Sequence, residues 1–134
     1  MKIIVLDSHP VLKYFEKEEG WEAVSEVLQL AADEKIKLLM SVVNWGEIVY
    51  CTLQEYGEEY TERVLHALKN MPIEIEPADK ELTLQAAHLK ARGGISYADC
   101  FAAALALKKK AAELVTGDKE FKQVEKEVKI RWIQ

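Results

Sequence analysis

KIIVLDSHP, Lys2 to Pro10, is the stretch on which the fold turns. Lys2 to Leu6 (KIIVL) is a short, continuous apolar run of the kind found in strands buried on both faces, the habit of parallel sheets covered by helices. Pro10 then stands where the first turn of a helix tolerates a residue without an N–H. The stretch therefore reads strand, turn, helix. Its apolar part meets Asp7 after four residues, too early for the core of a signal peptide.

Outward from this unit the same alternation recurs. Trp21 to Ala32 carries Trp21, Val24, Val27, Leu28 and Ala31 at helical spacing, and Lys37 to Met40 (KLLM) resembles a second strand. Asn44 to Tyr56 places Trp45, Ile48, Val49, Leu53 and Tyr56 on one helical face; Gly57 ends that helix, and Tyr60 to Leu68 forms another. Ile73 to Pro77 (IEIEP) reads as a short edge strand, and Asp79 to Arg92 as a helix stopped by Gly93 and Gly94. Ser96 to Lys109 is apolar nearly all round through Leu107, a buried helix closed by exposed Lys108, Lys109 and Lys110, where the helix dipole favours cations. A strand Glu113 to Thr116, a short helix from about Lys119 and a strand Lys129 to Ile133 complete the chain. Strands alternating with helices imply an α/β three-layer domain around a mostly parallel central sheet of about five strands.

With 134 residues and no Pro/Gly/Ser-rich divider, a single domain, 1–134, is expected. No apolar run reaches the roughly 20 residues that cross a bilayer, so no membrane association and a cytoplasmic location are expected. Cys51 and Cys100 lie far apart, within apolar helical patterns and away from any metal-ligand spacing, and read as two reduced, buried thiols. The net charge of −5 argues against holding nucleic acid by bulk electrostatics. It leaves room for a nucleic-acid enzyme whose carboxylates are neutralised by bound metal.

Four acids stand at the ends of strands or the starts of helices: Asp7, Glu47, Asp99 and Asp118. In an open α/β sheet these ends share one edge, where ligands bind. Taken singly, each reads as a helix cap. Ser96-Tyr97-Ala98-Asp99 fits a capping box, Asn44-Trp45-Gly46-Glu47 puts an acid at the same offset from an N-cap, and Asp118 is itself an N-cap candidate. Electrostatics tests what capping cannot. Four carboxylates brought to about 5 Å repel by roughly 3 kcal/mol per ionised pair at an effective dielectric near 20, so either their pKa values rise or a divalent cation binds. Oxygen-only ligands select a hard ion, Mg²⁺ or Mn²⁺.

Taken together, IIVLDS with Asp7, SVVNWGEI with Glu47, ISYADCFAAALA with Asp99 and LVTGDKEF with Thr116, Asp118 and Phe121 resemble the PIN-domain family of metal-dependent ribonucleases, and within it the VapC-like toxins of toxin–antitoxin pairs. The resemblance spans the whole chain. It implies that Asp7, Glu47 and Asp99 hold metal, with Asp118 completing the site directly or through water, and that Ser8, Asn44 and Thr116 support them. It implies an endoribonuclease in which the metal activates water for in-line attack on a phosphodiester. It also implies a small antitoxin covering the site and a homodimer formed through helices; the aromatic run Trp45, Tyr50, Tyr56 and Tyr60 is a candidate for that interface, with core packing explaining Trp45 equally well. Gly117 would permit a sharp strand-to-helix turn, Phe121 would anchor the helix that follows, and Glu120 is either an auxiliary acid or, the better reading, an exposed first-turn glutamate. His9 departs from the small polar residue common at its position in the family; it is a candidate for contacting substrate phosphate, but reads better as the N-cap before Pro10. His66 and His88 fall on helices away from the acids. Lys13, Arg92, Lys119 and Lys122 are candidates for contacting the RNA backbone.

Two other readings compete. A haloacid-dehalogenase-like phosphatase would use Asp7 as nucleophile, but needs a second carboxylate two residues on, where His9 stands, and an acid soon after the Gly-Asp pair, where the chain turns apolar at Phe121. A phosphoacceptor receiver would need an adjacent acid pair that LDSH lacks. A non-catalytic PIN-like binding module, its acids serving only as caps, is the non-enzymatic alternative. Nothing in the residues encodes a readable base preference.

Overall fold

The computed structural model describes residues 1–133. Five strands form one all-parallel sheet: β1 (Lys2–Leu6), β2 (Ile36–Ser41), β3 (Glu74–Glu76), β4 (Glu113–Thr116) and β5 (Ile130–Trp132), in the order β3-β2-β1-β4-β5. Successive connections run outward from β1 to β3, then jump across to β4 and on to β5. This reversal makes the C-terminal ends of β1 and β4 a topological switch point, where an open α/β sheet leaves a crevice.

Helices α1 (Ser8–Glu16), α2 (Trp21–Ala32) and α3 (Val42–Lys69) cover one face; α4 (Lys80–Arg92), α5 (Tyr97–Lys109) and a 3₁₀ helix (Lys119–Val124) cover the other. Alternation along the strands sorts the core accordingly. Val5, Leu39 and Leu114 pack toward α4 and α5, while Ile4, Leu6, Leu38, Met40 and Val115 pack toward α1, α2 and α3. In α5 every residue from Asp99 to Ala106 is buried, and its four alanines in that span let it lie close against the sheet. Phe121 is fully buried in the same cluster, a contribution of about 1.5–3 kcal/mol that pins the 3₁₀ helix to α5.

Several local expectations change. Ser41, rather than Asn44, caps α3, its Oγ accepting the N–H groups of Val43 at 3.0 Å and Asn44 at 3.4 Å. Asn44 is thus already inside the helix, and Glu47 lies beyond the reach of a capping box. Asp7, rather than His9, holds the N-cap position of α1. Lys108 and Lys109 are half-buried, pairing with Asp79 at 3.4 Å and Glu76 at 2.9 Å. Both cysteines are free, but only Cys100 is buried; Cys51 is half-buried.

Gly57 interrupts α3 at the expected place, with φ 84° and ψ −178°, a region open essentially to glycine. The hydroxyl of Thr61 donates to the Gly57 carbonyl at 2.8 Å and so satisfies an acceptor at the break. Nothing lies within 4 Å of a Cβ built there, so the demand is purely conformational. Gly57→Ala should therefore destabilise the protein by about 1–3 kcal/mol. In urea unfolding this would appear as a lowered midpoint with an unchanged slope.

Candidate metal centre

The sheet register brings the first acid to its partner. Asp7 follows β1 directly, its N–H donates to the Val115 carbonyl at 3.2 Å, and Thr116 at the end of β4 donates its hydroxyl to Asp7 Oδ2 at 2.8 Å. Asp7 stands at the N-cap position of α1 yet makes no side-chain cap bond. It is 1% exposed, and its Oδ1 has no partner.

Glu47 reaches the same place from the second turn of α3, where the Ser8 hydroxyl donates to its Oε1. Asp99 arrives from the first turn of α5. Its N–H donates to Ser96 Oγ at 3.2 Å, one half of a capping box, while its own Oδ2 stays buried and unpartnered. Oxygen atoms of Asp7, Glu47 and Asp99 all lie within 4.8 Å of one another. Asp118, Asp99 and Glu120 form a second such group, so Asp99 is common to both. Asp118 alone of the four acids caps as expected, with Oδ1 accepting the Glu120 N–H at 2.9 Å.

The supporting residues divide by task. Ser8 holds Glu47, and Thr116 holds Asp7 while accepting the Asp118 N–H at 3.0 Å. Among the described residues Asn44 makes no hydrogen bond to the acids; its Nδ2 donates to the Ala98 carbonyl at 3.1 Å and ties α3 to the start of α5. His9 lies against Gly117: a Cβ there would stand 2.8 Å from its Cε1 and 3.1 Å from the Ile133 carbonyl. Gly117 is thus required by close approach, since its φ lies outside the left-handed region. Arg92 is engaged by Glu127 at 2.9 Å and the Gln123 carbonyl at 3.3 Å, whereas Lys119 and Lys122 are exposed.

Two contacts lie outside the roles read from the sequence: the hydroxyl of Tyr50, read as a dimer residue, lies 3.5 Å from Glu47 Oε2, and Glu120, read first as an exposed acid, joins the second acid group. Tyr50 could have been flagged by its offset of three from Glu47, one helical turn on the same face. Glu120 carries a weaker signal: a capping box prefers the longer Glu or Gln where this chain has Asp99.

Burial is the main force on the acids' protonation. It pushes Asp7 from 3.8 up to about 7, with the Glu47 charge adding and the Thr116 hydrogen bond opposing. Burial also raises Asp99 well above the usual carboxylate range, reinforced by the charge of Asp7, by a hydrogen bond with Asp118 and by the charges of Asp118 and Glu47. An all-oxygen set of acids, crowded and partly without partners, suits a hard divalent cation; among the described residues no cysteine or histidine belongs to either group.

The same shift fixes a pH dependence. Between pH 3.8 and about 7, folded metal-free protein retains a proton on Asp7 that the unfolded chain has released, so stability falls as the pH rises through that window. The loss from Asp7 alone is about 4 kcal/mol, three pKa units at about 1.4 kcal/mol each. Asp7→Asn should abolish that part of the slope and melt above the parent at pH 7.5 to 8. Thermal melts of chelator-treated protein across pH 4 to 8 check it; a parent that gains stability over this range contradicts it.

A PIN-domain family model matches residues 4–127. No curated protein sequence matches the chain. Among solved structures, the fold is similar to VapBC2 from Rickettsia felis bound to a promoter DNA fragment, with TM-score 0.76, 17% identity, and 98% of this chain and 99% of that chain covered. DNA-bound VapBC from Salmonella typhimurium is similar at TM-score 0.75 and 17% identity, covering 98% of both chains. The sarcin–ricin-loop-cleaving toxin VapC20 of Mycobacterium tuberculosis follows at TM-score 0.70 and 15% identity, with 89% of this chain and 92% of that one covered. At such identities the likeness speaks for the fold, and the fold agrees with the family match, which spans the whole acid constellation: the chain belongs to the PIN-domain family.

Proposed function

We propose that this chain is a divalent-metal-dependent endoribonuclease, the toxin of a toxin–antitoxin pair, acting as a single domain in the cytoplasm. The observation that carries the reading is a pair of buried carboxylate oxygens, Asp7 Oδ1 and Asp99 Oδ2, left without hydrogen-bond partners beside Glu47. Buried polar atoms without partners are destabilising, and their retention at a strand-end crevice signals a ligand. Asp7, Glu47 and Asp99 hold Mg²⁺ or Mn²⁺, and Asp118 completes the set directly or through water.

A bound ion of this kind supplies Lewis acidity and a water acidic enough to attack a phosphodiester at neutral pH. The chain's own residues do the positioning. Thr116 fixes the Asp7 carboxylate by its bond to Oδ2, leaving Oδ1 free, and Ser8 orients Glu47. α1 and α5 begin beside the acids, and the positive ends of their dipoles favour an anionic phosphate at that edge. Exposed Lys119 and Lys122 on the adjoining 3₁₀ helix neutralise backbone charge of the RNA. No side-chain nucleophile is called for.

The likeness to the VapBC structures from Rickettsia felis and Salmonella typhimurium supports an antitoxin partner here, and we propose that an extended segment of it lies over the acids. Exposed Tyr50, Leu53 and Tyr56 on α3 offer an apolar strip for a homodimer. Among the described residues, no helix is long and apolar enough to cross a membrane.

Purified protein with Mg²⁺ or Mn²⁺ should cut RNA internally, and Asp7→Asn or Asp99→Asn should lower the rate by at least about 100-fold, as expected when the groups stabilising the transition state are lost. Mapping 5′ ends on total RNA measures both rate and position. Cleavage that survives chelator, or persists in both variants, would overturn the proposal.

A further inference from the structure

We propose that Glu120 is a positioning residue: it takes over the reciprocal half of the α5 cap and thereby keeps the Asp99 carboxylate turned toward Asp7 and Glu47. In a capping box two bonds form. The N-cap hydroxyl accepts the N–H of the third helical residue, and that residue's carboxylate accepts the N-cap N–H. Here the first bond is present, Asp99 N–H to Ser96 Oγ at 3.2 Å. The second is not made by Asp99. Instead the Ser96 N–H donates to Glu120 Oε1 at 2.7 Å, from a residue 24 positions away.

The short distance is that of a charge-assisted bond. Its consequence is written on Asp99, whose Oδ2 is buried without a partner and whose carboxylate lies within 4.8 Å of oxygens from Asp7 and Glu47. Glu120 is itself held in place. Its N–H is bound by Asp118 Oδ1 at 2.9 Å, and the Asp118 N–H by Thr116 Oγ1 at 3.0 Å. The next residue, Phe121, is fully buried against α5. A continuous line thus runs from Asp7 through Thr116, Asp118 and Glu120 to Ser96, and back to the centre at Asp99. Without the Glu120 carboxylate, the Ser96 N–H becomes the nearest donor for Asp99, which closes its own box and leaves the centre.

This inference rests on the metal-centre reading above, and its test separates the two. Full-length parent, Glu120→Gln and Glu120→Ala are titrated with Mn²⁺ by calorimetry, and metal-free Glu120→Ala is crystallised. Glutamine keeps an acceptor for Ser96, so Glu120→Gln should bind Mn²⁺ like the parent, while Glu120→Ala should bind about 10- to 100-fold more weakly, the usual effect of losing a group that orients a ligand. In the Glu120→Ala crystal the Asp99 carboxylate should accept the Ser96 N–H. Equal weakening in both variants would make Glu120 a direct ligand through its charge and overturn the proposal. So would an unmoved Asp99 in Glu120→Ala, or Mn²⁺ affinity unchanged in that variant. Should the parent itself bind no Mn²⁺, the metal reading fails, and the Asp99 position in Glu120→Ala still decides the role of Glu120.

Discussion

The hydrogen bond from Thr116 to Asp7 joins the ends of two strands that the chain makes far apart and the sheet makes neighbours. It holds a carboxylate that is almost wholly buried, an environment that disfavours its charged form. One oxygen is satisfied and the other is not. Carboxylate oxygens of Glu47 and Asp99 lie within 4.8 Å of one of Asp7 and add charge where the protein has already removed water. Such a centre is poor as a stabilising device and well suited to a cation.

Helix capping and metal binding draw on the same residue types at the same positions, and the fold separates the two duties. Ser41 caps α3, which leaves Glu47 free one turn further on. Ser96 caps α5 from one side and Glu120 serves its N–H from the other, which leaves Asp99 free. Asp7 holds a cap position without capping. Of the four acids, Asp118 alone spends its carboxylate on its own helix, and even there it braces the residue that serves α5. The bracing is stiff because the segments that carry it are anchored in the core, Phe121 on one side and the buried run of α5 on the other.

Much of the architecture was legible because its signals are local. The run KIIVL, the helical spacing from Trp21 to Ala32 and the apolar run of Ser96 to Lys109 each reflect burial on definite faces, and each element formed within a residue or two of expectation. The misreadings share one cause. Asn44 and Ser41 are both good caps at workable spacing, and only the path of the chain out of β2 chooses between them. His9 read as a cap because its neighbour Gly117 lies more than a hundred residues away. Glu120 is the exposed first-turn acid that the sequence suggested, but its bond to Ser96 was not legible because that partner belongs to another helix.

By itself the sequence determined the alternation of buried strands and helices, and with it the placing of four acids at strand ends and helix starts, because periodicity and turn chemistry act over a few residues. Tertiary structure alone decided which of those acids cap and which converge. That choice depends on strand order, which sets β4 beside β1, and on contacts such as Thr116 with Asp7 and Glu120 with Ser96, whose geometry no local pattern encodes. The burial that raises Asp7 and Asp99 likewise exists only once both helical layers have closed over the sheet.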